Sequence, residues 1–336
     1  MQGGTRILEH QEVKMWIIMA VIIGMAFGGA IILNEILTED EEKTGPITIV
    51  DDLDRTVTLD DTADRIVSLS SSNTEILFAI DAGDKVVGRD KYSDYPEEAL
   101  DIPTVGGFST PNIEKILGVD PDLIIADPIA QDAIFSIENT ITTLYFESKS
   151  VDDLLSVIDK IGSVTGKESE AENLIDDMQT RMEAITDITD DFTSAEKPSV
   201  YIEVFEGLWT VGSSSHINNL ISMAGGINIF DDQDDDYFIA NEEVIIDRKP
   251  DVIVLYGEMG SYAATIDEVK NRGWGVIPAV ENDQIYVIDG DLLDPCPRIV
   301  DGIEYLAYYF HPDLFSEPQA MMGLASILAS ISLNSL

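Results

Sequence analysis

The sequence predicts an α/β protein: two α/β lobes with central, mainly parallel sheets, joined by a single long helix and preceded by an N-terminal transmembrane helix. Three observations carry this reading. First, PNIEKILGVDPDLIIA at 111–126 returns in altered form as ANEEVIIDRKPDVIVL at 240–255. Asn112 matches Asn241, Glu114 matches Glu243, and Pro121-Asp122 matches Pro250-Asp251. Each copy reads as a helix with a glutamate in its first turn, a Pro-Asp break and a buried parallel strand. Second, residues 151–189 lie between the copies with helical periodicity and no strong strand signal. Third, residues 15–33 form an uncharged apolar run. Pro-Asp before a Val/Ile run is common in any βαβ unit, so the repeat gains weight only if the other elements fit two lobes.

Taken in order, the uncharged run would span ~28 Å as a helix at ~1.5 Å per residue, close to a bilayer core. Arg6 and Lys14 precede it and the acids Glu39 to Glu42 follow, which places the N-terminus inside and the bulk of the chain outside. A cleaved signal peptide is the competing reading, with small residues at 28–30; the length of the run favours an uncleaved anchor. Residues 1–46 are thus a membrane anchor and acidic tether. The N-terminal α/β lobe, 47–150, opens with an alternating hairpin at 47–59 and a buried strand, RIVSLS. That strand runs into a helix, for which Ser72 and Glu75 suggest a capping box. Short strands at 85–88 and 104–108, the first repeat, and strands at 122–126 and 141–150 complete it. Residues 151–190 are the linking helices; the longer one carries Leu174, Met178, Met182 and Ile185 as an apolar stripe. The C-terminal lobe, 191–315, holds PSVYIEVFEG, the helix HINNLISMAGG, the second repeat, QIYVID and the helix RIVDGIEYLAYYF. The tail at 316–336 is apolar and too short to span comfortably.

The formal charge of −45 over 336 residues argues against nucleic-acid binding, which needs clustered Lys and Arg. The run Asp231 to Asp236 lacks the glycine and distal glutamate of a hand-type calcium loop and reads as a solvated acidic loop. Cys296 is the sole cysteine, so the chain has no internal disulfide, no cysteine metal cluster and no lipidation site near the anchor. His10, His216 and His311 show no metal-ligand spacing. Walker, nucleophile-elbow and H-E-x-x-H motifs are missing from the sequence. No catalytic residue, metal site or cofactor is called for.

The blocks RIVSLSSSNTEILFAI, YSDYPEEA, PNIEKILGVDPDLIIA, AGGINIF, EEVIIDRKPDVIVL and PRIVDGIEYLA stand in an order that resembles the helix-linked substrate-binding proteins of ABC importers for cobalamin and ferric siderophores. The resemblance covers about residues 47–315. It implies a rigid bilobal receptor that holds its ligand between the lobes and docks on a permease dimer. Residue by residue, it implies that Glu114 and Glu243 meet arginines on the permease. It also implies that Tyr92, Phe108, Trp209, Tyr237 and Arg298 line the cleft. Two positions depart from the cobalamin branch: Asp127 stands where those members carry tryptophan, and Tyr237 replaces another tryptophan.

Beside the resemblance, the residues have plainer roles available. An acid in a first helical turn is worth ~0.3–1 kcal/mol by itself. Any one aromatic is more often core than ligand contact, and Trp274 reads as structural. Arg298 at a helix start opposes the dipole, so a ligand or carboxylate should compensate it. A large chelate would use aromatic faces with few polar anchors. The expected function is therefore a membrane-anchored extracellular receptor that captures a corrinoid or iron-siderophore chelate and hands it to an ABC permease. The rivals are a nitrogenase-like metalloenzyme component, for which the chain lacks cysteines and a nucleotide loop, and an anchored sensor or adhesion module.

Overall fold

The computed structural model describes residues 45–258 and 261–318. The expected transmembrane run at 15–33, the tether and the tail at 320–333 lie outside the described residues. Among the described residues, no helix is long and apolar enough to cross a membrane.

The N-terminal lobe begins with the expected hairpin, β1 (Ile47–Val50) against β2 (Thr56–Leu59), antiparallel and closed by Asp51, whose carboxylate takes the Arg55 guanidinium at 2.6 Å. Then follow β3 (Ile66–Leu69), α1 (Ser71–Ala79), β4 (Val86–Arg89), the two-residue strands β5 (Gly106–Gly107) and β6 (Thr110–Pro111), α2 (Ile113–Gly118), β7 (Leu123–Ala126) and β8 (Thr142–Tyr145). The main sheet runs β4-β3-β7-β8, all parallel.

Helix α3 (Val151–Thr165) stops at Gly166, whose positive φ of 69° supplies the left-handed C-cap. The connector α4 (Glu168–Thr189) packs closely on α3 because Gly162 has no side chain: a Cβ there would lie 2.5 Å from that of Ala171. Met178, Met182 and Ile185 are buried and Leu174 is half-buried, as the stripe predicts. On its other side, Arg181 binds Glu304 at 2.8 and 2.9 Å and also reaches Asp301.

The C-terminal lobe contains β9 (Ser199–Glu203), β10 (Trp209–Val211), α5 (His216–Met223), β11 (Ile227–Asn228), β12 (Tyr237–Ile239), α6 (Glu242–Arg248), β13 (Val252–Glu258), β14 (Ser261–Tyr262), β15 (Ile285–Asp289) and α7 (Ile299–Phe310). Its parallel sheet runs β11-β9-β13-β15, with β14 antiparallel on the end of β13. In chain order both sheets therefore read second-first-third-fourth. The sequence repeat falls on equivalent pieces, α2–β7 and α6–β13. Even the Pro-Asp carboxylates act alike. Asp122 accepts from the Asp64 and Arg65 amides just before β3, and Asp251 accepts from the Ser199 amide at the start of β9.

Both faces of each sheet are covered, which is why the strands are apolar throughout rather than alternating with polar residues. On β7, Leu123 and Ile125 face the central core while Ile124 and Ala126 face an outer one; on β13, Val252 and Val254 face the centre and Ile253 and Leu255 the outside. The central cluster is continuous from the first sheet through α3 and α4 to the second. Separating the lobes would expose apolar surface, so the connector resists a wide swing.

Candidate functional site

A cavity of about 480 Å³ opens where the carboxyl ends of the parallel strands meet. In open α/β sheets those ends, at the point where strand order reverses, are where chain crossovers diverge and leave a crevice. Here the reversal lies between β3 and β7. Ser70 leaves β3 and caps α1, accepting from the Asn73 amide, so Ser70 to Asn73 lie on the cavity wall. The loop after β4 brings Lys91, Tyr92, Asp94 and Tyr95. Its shape is held from below: buried Asp90 accepts from the Tyr92 amide at 2.8 Å and from the Ser93 hydroxyl, and Thr74 donates to the Ser93 oxygen at 2.9 Å. Burial pushes the Asp90 carboxyl above its usual range, against the hydrogen bonds from Ser93 and Tyr92. Asp127 follows β7, and Phe146, Glu147 and Ser148 follow β8. The second lobe contributes Asp291, Asp294, Pro295, Cys296 and Arg298, all between β15 and α7.

Arg298 joins the lobes. Its amide and Nε donate to the two Glu75 oxygens at 3.1 and 3.0 Å, its guanidinium lies 3.8 Å over the Tyr95 ring, and Asp291 is 3.9 Å away. Burial would lower this guanidinium, but the hydrogen bond and charge of Glu75 outweigh it and hold the pKa above its ordinary value. The Ser72 hydroxyl adds a second link by donating to the Pro295 carbonyl. Behind the pair lies a further cavity of about 550 Å³, walled by Phe78, Pro96, Arg181 and Asp301 and sharing Glu75, Tyr95 and Arg298. The Glu75–Arg298 pair is thus a partition between two inter-lobe spaces.

The expected Ser72/Glu75 capping box does not form. The helix starts one residue after Ser70, so Ser70 takes the cap and Glu75 sits too far along to reach back. Glu75 is instead the carboxylate that compensates Arg298. Of the residues expected in the cleft, the structure brings Tyr92 and Arg298 to the cavity wall. Phe108 stands one ring behind, its centroid 5.7 Å from that of Tyr92. Trp209 and Tyr237 are placed on the antiparallel pair β10–β12 and do not line the cavity. Trp209 is half-buried against the central core. Burial, then the charges of Asp236 and Asp294 against a Ser215 hydrogen bond, push the Tyr237 phenol up, which puts it within the field of a cavity acid.

The wall is also more polar than the sequence suggests. Besides Tyr92, Tyr95 and Phe146 it carries, among the described residues, six carboxylates and a row of serines. Asp127 accepts from the Ile129 amide at 2.8 Å, and burial, with Glu147 nearby, raises its pKa. Sequence reasoning missed Asp94, Tyr95, Phe146, Asp291 and Asp294 as site residues. Phe146 and Asp291 were findable, because they stand within two residues of the ends of strands of the parallel sheets. Cys296 is buried, and burial with the adjacent Glu75 charge pushes its thiol well up, so it stays protonated and unsuited to nucleophilic work. Among the described residues no group of His, Cys, Asp and Glu is arranged to hold a metal ion.

Glu114 and Glu243 are both exposed, each in the first turn of a helix capped by asparagine. Asn112 accepts from Lys115 and Asn241 from Glu243. The neighbouring Glu242 is occupied by the indole N–H of buried Trp274 at 2.8 Å, which confirms Trp274 as structural.

Residues 66–292 match the profile of the periplasmic binding protein family. The chain is 32% identical over 281 residues to an uncharacterized ABC transporter substrate-binding lipoprotein, YvrC, of Bacillus subtilis, covering 81% of this chain and 88% of that one. It is 30% identical over 253 residues to the vitamin B12-binding protein of Vibrio cholerae, covering 74% and 89%. The fold superposes with a TM-score of 0.62 on the crystal structure of an ABC-type Fe3+-hydroxamate transport system from Saccharomonospora viridis, at 25% identity and with 79% and 99% coverage. Two lobes of matching topology, a cavity between them and these likenesses lead to one conclusion: the chain belongs to the periplasmic binding protein family and is a binding protein, not an enzyme.

Proposed function

We propose that this protein captures a metal chelate, a corrinoid or a ferric siderophore, in the inter-lobe cavity and delivers it to an ABC permease dimer. The observation that carries the reading is the cavity itself. It lies at the carboxyl ends of both sheets, is walled by both lobes and is crossed by the Glu75–Arg298 pair, so any occupant senses the spacing of the lobes. The vitamin B12-binding and Fe3+-hydroxamate relatives bracket the ligand class. Tyr92 and Arg298 are the proposed ligand contacts on the wall, and Phe108, Trp209 and Tyr237 would serve only a ligand large enough to extend beyond it. Glu114 and Glu243 are the proposed permease contacts. The apolar run at 15–33 is the proposed anchor, with the lobes on the extracellular side; the Bacillus relative is a lipoprotein, whereas this chain has no cysteine near that run. The test is to purify the full-length protein from its native host and identify any bound chromophore by absorbance and mass spectrometry. A corrinoid or iron chelate at near one per chain is the expected result. Failure to retain or rebind either class would defeat the proposal.

A further inference from the structure

We infer that the cavity selects its chelate by charge, admitting neutral or cationic chelates that carry amide or ammonium donors on their rim and turning away anionic ones. This rests on the reading of the cavity as the chelate site. Among the described residues, Glu75, Asp94, Asp127, Glu147, Asp291 and Asp294 face the space, against Lys91 and Arg298 alone. Arg298 lies 2.9 Å from Glu75 and 3.9 Å from Asp291, so the wall already balances its charge even where its side chain touches a ligand. Lys91 lies 4.4 Å over the Tyr92 ring, and Glu147 pairs with Lys149 at 2.7 Å on the outer side. Asp94 and Asp127 enter no ion pair among the described residues.

Ionised carboxylates are acceptors only, so they are matched by N–H donors and opposed by phenolate or carboxylate oxygens. A chelate with three negative charges finds one cation outside an ion pair among the described wall residues, Lys91, against the carboxylates. A corrinoid with amide groups at its edge, or a trihydroxamate with a free ammonium, finds a row of acceptors. The formal charge of −45 extends the same bias beyond the cavity.

The experiment is calorimetric titration of the full-length protein with three probes: cyanocobalamin, a ferric trihydroxamate bearing an ammonium group, and a ferric tris-catecholate trianion. Each is measured at ~0.1 M and ~1 M salt, where the screening length falls from ~10 Å to ~3 Å. The trianion should bind at least about tenfold more weakly than the better of the other two, with the gap narrowing in high salt. The variant D94N/D127N/D294N should narrow it further, and asparagine at 127 keeps the cap on Ile129. A melting curve reports whether the variant folds; if it does not, the salt series on the wild-type protein decides. Preference for cyanocobalamin or for the trihydroxamate identifies which chelate supplies the shared chemistry. A trianion that binds as tightly as the others, or a gap indifferent to both salt and substitution, overturns charge selection alone. Absence of binding by all three removes the chelate reading and this inference together.

Discussion

In the N-terminal lobe the chain leaves β3 at Ser70 and enters α1 at once, whereas in the C-terminal lobe it leaves β9 and makes β10 before reaching α5 at His216. The two sheets otherwise have the same strand order, and their repeats carry the same asparagine cap, first-turn glutamate and Pro-Asp clamp. That one detour changes what each lobe offers. Among the described residues, the first lobe brings the ends of four strands to the cavity, while the second lends the segment from Asp291 to Arg298. A duplicated scaffold has thus been divided into a lobe that holds and a lobe that clamps. What differs is an inserted strand, β10, paired with β12.

The largest effect is expected at the repeat glutamates that both lobes carry. Reversing both repeat glutamates, E114R/E243R, should abolish permease association in a pull-down and transport in cells, with ligand affinity nearly intact, because rim charges act on encounter and register. Each single change should be partial. Loss of ligand binding by the isolated double variant would assign the glutamates to the cavity and end the docking proposal.

Two buried ion pairs separate holding from clamping. Glu203 and Arg272 lie within the second lobe, at 2.5 and 2.8 Å, with Glu203 fully buried. Glu75 and Arg298 lie between the lobes. Removing one partner strands a charge, so Glu203→Ala and Glu75→Ala should each cost about 3–5 kcal/mol in denaturant unfolding. Only Glu75→Ala should also weaken ligand binding, since only that pair sets the gap. Equal affinity losses in the two variants would mean that the lobes respond as one block.

A smaller effect distinguishes the two aromatic positions. Tyr92→Ala should weaken ligand binding by about 1–3 kcal/mol with little loss of stability. Trp209→Ala should do the reverse, lowering stability by about 2–3 kcal/mol, below the range for a fully buried tryptophan. Affinity loss in the Trp209 variant at unchanged stability would extend the site onto β10–β12.

The smallest effect is with pH, and among the described residues its histidine part belongs to one lobe. His216 and His311 both lie in the second, and each ring nitrogen contacts a carbonyl oxygen, Leu293 O at 2.8 Å and Gly225 O at 3.1 Å. Burial lowers both pKa values from the ordinary 6.5. The unfolded chain therefore takes up these protons first, so their contribution is complete above about pH 6.5 and is lost as pH falls, by at most about 1.4 kcal/mol per pH unit for each histidine. Asp90 and Asp127 have raised values and act with opposite sign, lower in pH. His216→Asn should flatten the stability curve between pH 7 and 5; an unchanged slope would place the acid sensitivity elsewhere.

The order of elements, the two lobes, the connector and its apolar stripe were legible because each follows from local chemistry: periodicity, caps and Pro-Asp breaks act within a few residues. The repeat even located equivalent strands 129 residues apart. The site was legible only in part. Tyr92 was expected in the cleft from the family resemblance, and Arg298 stood out by its uncomfortable place at a helix start. Glu75 was misread as a cap, since the helix could start at Ser70 or Ser72 on sequence grounds and its partner is 223 residues away.

By itself, then, the sequence determined the α/β class, the duplication, the family and the need for something to neutralise Arg298. The tertiary structure decided what neutralises it, which strand ends open onto the cavity, and that carboxylates outnumber cations on its wall. The physical reason is range. Backbone propensity and burial patterns are written in neighbouring residues, whereas a cavity's shape and charge are sums over side chains brought together from distant segments, and no single segment contains the sum.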